Sequence, residues 1–295
     1  MIIYSKIHRK KIKYTLNGHD YMKTITGFLP ISLTAIMLPV ITAFDSLFSI
    51  KLITLSGIET SVATSLFGIY SGSVAAIVGL PVSVAYGVAV ASVPAVSRGG
   101  GEKEISKALR FTGFVAIPSA VFLFFFARQC VELLYGSMQE GEIRIATALL
   151  MADSVSVAVT SYLQTVNAVA TAVGRQKFPV IALLVALAVR IALCAAFTAI
   201  PQIGIMGAVL ASVISLTTAL LICVRFVLPH GAVARACVDV GVISLWSIIC
   251  VLGGFWLYKP IGGRAFFVVA TLLTVAIYLL PAAIGGVKMK IKGQT

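Results

Sequence analysis

Residues Gly79–Gly136 read GLPVSVAYGVAVASVPAVSRGGGEKEISKALRFTGFVAIPSAVFLFFFARQCVELLYG. The stretch consists of two long apolar runs separated by a short basic segment, residues 98–110. Each run approaches the roughly 20 residues with which a helix crosses about 30 Å of hydrocarbon. The stretch therefore predicts a hairpin of two membrane helices whose basic connection lies on one face of the bilayer.

The rest of the chain has the same character. Of its 295 residues, 59% are hydrophobic and only 11% are charged, whereas soluble domains carry about 25% charged residues. The ten-residue alternating segments that are typical of a membrane β-barrel are not present. We therefore predict an all-α polytopic membrane protein with about eight spans, at residues 26–50, 65–94, 111–127, 143–171, 179–200, 203–224, 240–258 and 265–284.

The distribution of basic residues predicts the orientation. If the N-terminus is cytoplasmic, most of the 23 Lys and Arg residues fall in cytoplasmic segments, as the positive-inside rule requires. Both termini are then cytoplasmic, and the protein is expected in the cytoplasmic membrane. The same rule accounts for the net charge of +13, so no nucleic-acid partner is expected.

The sequence contains no pattern that is typical of an enzyme. The five cysteines are scattered without metal-ligand spacing, and no disulfide is predicted. Neither a Ser-His-Asp set, an HExxH motif nor a phosphate-binding Gly-Lys-Ser loop is present. We therefore expect neither catalysis nor a cofactor or metal.

Three ionisable residues lie within predicted spans: Asp45, Asp153 and Arg190. Charges at such depth usually face a bundle interior or a wet cavity. Arg190 and Asp153 are expected at similar depth, and the short connection between the fourth and fifth spans favours a pair. Two interpretations stay open at this point. The pair could hold two helices together, or it could line a transport pathway, and the same alternatives apply to Asp45.

The fourth predicted span also carries a polar stripe on one helical face. Its members are three or four residues apart, a spacing that places them on the same side of a helix over several turns. A membrane helix turns such a face toward protein or an aqueous cavity. The stripe is therefore either interhelical packing or a cavity wall, and it comprises Asp153, Ser156, Thr160, Gln164, Asn167 and Thr171.

Several segments resemble one family of membrane transporters. VPAVS, ALR and LLYG within Val93–Gly136, the stretches Val173–Ile191 and Pro201–Ser212, and ITAFDSLF at Ile41–Phe48 occur in the order found in that family. It is the stage V sporulation protein B and polysaccharide-export branch of the multidrug/oligosaccharidyl-lipid/polysaccharide flippase superfamily. Cys194 departs from the pattern, because the family has Asn at this position.

The resemblance implies a transporter of lipid-linked sugars or peptidoglycan precursors, built from two six-helix lobes that rock about a central cavity. It implies that Arg190 contacts the anionic pyrophosphate of the cargo and that Asp153 positions it. The eight spans resemble the second lobe with two C-terminal helices, so a first lobe or a second copy is an expected partner. The implied organisation is a basic linker-like segment 1–25, a lobe 26–226, two further helices 227–284 and a basic tail 285–295.

Two other functions are compatible with the sequence. The first is a cation-coupled multidrug exporter of the same superfamily, in which Asp45 or Asp153 carries a proton or sodium ion. The second is a membrane scaffold or remnant that transports nothing. The leading hypothesis remains a flippase that acts in cell-wall or spore-cortex assembly.

Overall fold

The computed structural model describes residues 57–198 and 204–258 continuously. It also describes helical residues scattered between 32 and 54 and between 267 and 278. The predicted terminal segments 1–25 and 285–295, together with Asp45, lie outside the described residues.

The described part of the chain is helical apart from short connections. Two π-helical turns, Ile69–Val74 and Val96–Gly100, join the first three α-helices. The α-helices are α1 Thr60–Gly68, α2 Ala75–Ala95, α3 Gly101–Phe125, α4 Ala127–Leu134, α5 Glu140–Ala172, α6 Lys177–Thr198, α7 Ile205–Val227 and α8 His230–Tyr258.

The predicted all-α membrane architecture is confirmed. Five helical stretches of the described residues are long and apolar enough to cross a membrane. The first of them, Thr60–Phe125, contains both predicted arms of the hairpin. The others match the predicted fourth to seventh spans: Glu140–Ala172, Lys177–Phe197, Ile205–Val227 and His230–Trp256.

Two helices begin about ten residues earlier than predicted. The segment 98–110, predicted as a loop, is mostly the first turns of α3, and α8 starts at His230 rather than near residue 240. Glu102 and Glu104 stabilise the start of α3 because carboxylates favour the positive end of the helix dipole. The true connection is only Val96–Gly100, after which Gly101 has a φ of 55° that favours glycine.

A short amphipathic helix, α4, was not predicted. It follows α3 at the end of the bundle opposite the Val96–Gly100 connection and packs on α5. We call the end with that connection the basic end and the other the opposite end. Arg128 bonds Glu132 and Glu140, each at 2.6 Å, and thereby joins α4 to the start of α5. Hydropathy alone does not detect such a helix because its length and charge exclude a membrane span.

Helix α5 is the central helix of the described bundle. It packs against α2, α3 and α7, and α7 packs in turn against α6. Helix α8 packs along α3. Since α5 touches helices on several sides, the polar stripe on it lies next to protein over much of its length.

Two apolar clusters fill the interior. The opposite-end cluster lies toward α4 and includes Phe126, Leu149, Leu150, Val157 and Val209. The basic-end cluster lies toward the Val96–Gly100 connection and includes Leu109, Leu163, Val166, Leu183 and Cys223. On α5, α6 and α7 the two clusters occupy successive stretches of the same buried face, which leaves a boundary near the middle of each helix.

Candidate functional site

Buried polar side chains gather around the boundary between the two apolar clusters. They come from α3, α5, α6 and α7, and each is less than a tenth exposed. We call this set the polar layer: Thr112, Asp153, Ser154, Ser156, Ser161, Thr165, Arg190, Ser212 and Ser215. Polar groups in a membrane bundle are usually found where they bind one another or line a pathway, so the layer is the candidate functional site.

Arg190 is the buried cation of this layer, with 4% of its surface exposed. It lies on the buried face of α6 in line with Ala182, Ala186 and Cys194, at intervals of four residues. One turn away, the Cys194 thiol lies 3.9 Å from the hydroxyl of Ser49. The Arg190 side chain therefore lies in the bundle interior, on a helical face whose neighbouring positions carry small side chains.

Two side-chain contacts give the register of the helices around Arg190. The rings of Phe178 on α6 and Phe226 on α7 stack with centroids 5.3 Å apart. The Cys223 thiol of α7 donates to Asn167 Oδ1 of α5 at 3.8 Å. Both contacts lie near the basic end, and they join α7 to α6 and to α5.

Asp153, the buried carboxylate of the layer, lies on α5. Asp153 is also 4% exposed. The sequence predicted similar depths for Arg190 and Asp153 and favoured a pair between them, and this stays a prediction. Both α5, which carries Asp153, and α6, which carries Arg190, pack along α7.

The burial of the polar stripe changes along α5. Asp153 and Ser156, toward the opposite end, are both 4% exposed. Thr160, Gln164 and Asn167 are partly exposed. At the end of the helix, Thr171 is exposed. The stripe thus passes from the bundle interior to an open face at the basic end.

The middle of the stripe retains free hydrogen-bonding capacity. Gln164 Oε1 is buried and has no hydrogen-bond partner among the described residues. The amide oxygen of Asn167 accepts only the weak Cys223 thiol donor within that part of the chain. A ligand that carries hydroxyl groups would supply the donors that these two oxygens lack.

Two other members of the polar layer, Thr112 and Thr165, were not predicted from the sequence. Thr165 donates to the carbonyl of Ser161 at 2.9 Å, and its hydroxyl lies 2.7 Å from that of Thr112 on α3. Because Thr165 uses its proton on Ser161, Thr112 is the donor of the second bond. A single Ser or Thr in an apolar run has no distinguishing spacing. Only the packing of α3 on α5 shows that these hydroxyls are hydrogen-bonded to each other.

An apolar cavity of about 610 Å³ is lined by residues outside the polar layer. Helices α2, α3, α4 and α8 and the segment 267–278 contribute its walls, which include Leu80, Phe122, Leu133 and Phe267. The hydroxyl-bearing residues of its wall are Ser119, Thr271, Thr274 and Tyr278. The cavity was not predicted because it depends on α4 and on the docking of distant segments.

The basic end is held together by contacts of its charged residues. Arg235 of α8 lies 2.8 Å from Glu102 of α3. Arg175 donates to the carbonyl of Phe226 at 3.2 Å and so caps one of the unpaired carbonyls at the end of α7. Basic residues that serve the predicted orientation therefore also connect helices.

No family model and no curated protein matches the sequence. The fold is similar to that of a solved structure, the lipid II flippase MurJ in the inward closed conformation, with a TM-score of 0.72 and 20% identity. The match covers 94% of this chain and 57% of the flippase chain, so the chain spans little more than half of that protein. The chain thus has a flippase-like fold, while the narrower family branch predicted from the sequence stays a prediction.

Proposed function

We propose that this chain is a flippase lobe that moves a lipid-linked oligosaccharide or peptidoglycan precursor across the cytoplasmic membrane. The observation that carries the proposal is the fold, which is similar over 94% of the chain to a protein named as a lipid II flippase. The polar layer supports the proposal because a bundle made only for packing has little need for a buried guanidinium.

Arg190 is the proposed contact for the anionic part of the cargo. Arg presents a planar, permanently charged fork of donors that matches phosphate oxygens. Its burial at 4% exposure strengthens this attraction, since a buried charge is poorly screened by water. In this proposal Asp153 positions the guanidinium when no cargo is bound. Asp45 is a further candidate residue of the same binding site.

The polar stripe is the proposed contact for the sugar. Thr160, Gln164 and Asn167 are partly exposed on one face of α5. The unpartnered Gln164 amide oxygen can accept a hydrogen bond from a sugar hydroxyl. The stripe opens toward the basic end, which the positive-inside rule assigns to the cytoplasm, where a precursor assembled in that compartment would enter.

The apolar cavity is the proposed place for part of the lipid chain. Its volume of about 610 Å³ lies within the range of small-molecule sites. Its mostly apolar walls suit a hydrocarbon and offer little to a charged group. Cargo that has a polar head and a long lipid tail would use both the polar layer and such an apolar cavity.

Alternating access requires a second repeat that moves against this one. We propose that residues 26–226 form one lobe, that residues 227–284 add two helices, and that the opposing half comes from further helices. Either another six-helix lobe or a second copy of this chain would provide them.

Binding of a lipid-linked pyrophosphate sugar to the purified protein tests the proposal. Native mass spectrometry in detergent micelles should detect a bound lipid, and we expect Arg190→Ala to weaken binding about tenfold or more, because a charge-assisted bond contributes about 1.5–3 kcal/mol. Arg190→Lys should retain part of the affinity, since the charge remains but the fork is lost. Arg144→Ala is the matched control, because Arg144 is an exposed arginine near the opposite end of α5.

If the wild-type protein binds the lipid-linked sugar no better than an ordinary phospholipid, the proposed function is wrong. If it binds but Arg190→Ala and Arg144→Ala behave alike, the flippase assignment survives and the role of Arg190 is wrong. The melting temperature of each variant shows whether the fold is retained.

A further inference from the structure

Pro118 lies in the interior of α3. A proline has no backbone N–H, so the carbonyl four residues earlier, that of Phe114, receives no hydrogen bond from its own helix. Within a membrane this is costly, because no water is available to satisfy the group. The carbonyl of Phe114 therefore needs a donor from another element.

The hydroxyl of Tyr278 provides that donor. Tyr278 Oη donates to the carbonyl oxygen of Phe114 at 3.0 Å. The two rings also pack against each other, with centroids 4.8 Å apart. Tyr278 is only 7% exposed, so both its ring and its hydroxyl are fixed at this position. A residue 164 positions away thus completes the hydrogen bonding of α3 at its proline.

The C-terminal part of the chain holds α3 at further points. Near its start, Glu102 lies 2.8 Å from Arg235 of α8. Two turns later, Arg110 lies 3.8 Å from Asp239 of the same helix. Helix α8 also reaches the end of α3 after the proline, where the rings of Phe125 and Phe255 lie 6.3 Å apart, so it contacts both halves of α3.

We propose that the Tyr278 hydroxyl replaces the helical donor that Pro118 lacks, and that it thereby fixes the angle between the two halves of α3. A proline in a helix interior is the commonest cause of a bend. When the carbonyl of Phe114 is bonded to Tyr278, α3 has one preferred conformation at Pro118. Without that bond, the carbonyl of Phe114 has no donor from its own helix, and α3 bends and opens more easily at the proline.

Hydrogen exchange of the full chain, purified in detergent, tests this inference. We expect Tyr278→Phe, which removes only the hydroxyl, to accelerate amide exchange over residues 113–125 about five- to tenfold, as the loss of one bond to a buried carbonyl predicts. Tyr86→Phe is the matched control, because Tyr86 lies on α2 with 51% of its surface exposed. It should leave exchange in α3 unchanged.

The decisive comparison is made in a Pro118→Ala background. Alanine restores the N–H, so the carbonyl of Phe114 is bonded within its helix and Tyr278→Phe should no longer accelerate exchange. If Tyr278→Phe accelerates exchange equally in both backgrounds, or in neither, the inference is wrong. Pro118→Ser restores the same N–H and replaces the alanine variant if that variant does not accumulate.

Discussion

The threonine pair between α3 and α5 gives a quantitative test of the polar layer. Thr112 and Thr165 are both fully buried, and their hydroxyls lie 2.7 Å apart. Thr165→Val keeps the shape of the side chain, but it removes the acceptor of Thr112 and the bond to the carbonyl of Ser161. We expect this substitution to lower the free energy of unfolding by about 1–2 kcal/mol, toward the lower end of the range for an unsatisfied buried group.

The reciprocal change should cost less. Thr112→Val leaves the bond from Thr165 to Ser161 intact, so we expect a loss of about 0.5–1 kcal/mol. The double variant should lose less than the sum of the two, because the bond between the threonines is removed only once. The resulting coupling energy should lie near the 0.6–1.7 kcal/mol seen for hydrogen bonds between membrane helices.

Unfolding in mixed micelles, followed by circular dichroism, measures the four proteins of this cycle. Thr218→Val is the matched control, since the exposed Thr218 hydroxyl bonds only the carbonyl of Ile214 in its own helix. A coupling energy below about 0.3 kcal/mol, the usual error of additivity, would show that the two hydroxyls do not join α3 to α5. A Thr112→Val cost equal to that of Thr165→Val would instead contradict the contribution of the bond to the carbonyl of Ser161.

Two further predictions concern contacts of α3. Gly113→Ala should lower the melting temperature, because the added Cβ would overlap the Tyr162 hydroxyl, and Tyr162→Phe in the same chain should recover part of the loss. If it recovers nothing, that contact is not the cause. Glu102→Arg should weaken the packing of α8 on α3 by up to about 1 kcal/mol, the usual range of an exposed ion pair. The combined exchange with Arg235→Glu should restore the melting temperature, and a double variant no more stable than the singles would contradict the pairing.

The fold was largely predictable because each membrane helix is encoded locally. Apolar runs of sufficient length must become helices in hydrocarbon, where each backbone group needs a partner within its own segment. The ends of the helices were less predictable. The first turns of α3 carry Glu102, Lys103 and Glu104, so hydropathy assigned them to a loop, whereas Glu104 bonds Lys107 at 2.6 Å within the helix.

The candidate site was predictable only where the signal lay within one helix. The stripe from Asp153 to Thr171 has helical spacing, and Arg190 is conspicuous in an apolar run. The bond between Thr112 and Thr165 joins residues far apart in sequence, and neither residue alone differs from an ordinary packing threonine. The apolar cavity depends on α4 and on the segment 267–278, whose positions follow from tertiary packing.

The ion pair between Glu102 and Arg235 has a consequence for biogenesis. During insertion, the count of Lys and Arg beside each nascent helix decides which side stays in the cytoplasm, and acidic residues contribute little to that decision. Arg235 therefore acts as an uncompensated charge while the chain enters the bilayer, and it becomes a partner of Glu102 only after α8 meets α3. Exchanging the two residues would leave the number of arginines on that side unchanged. We therefore expect a variant with Glu102 and Arg235 exchanged to keep the same orientation in the membrane.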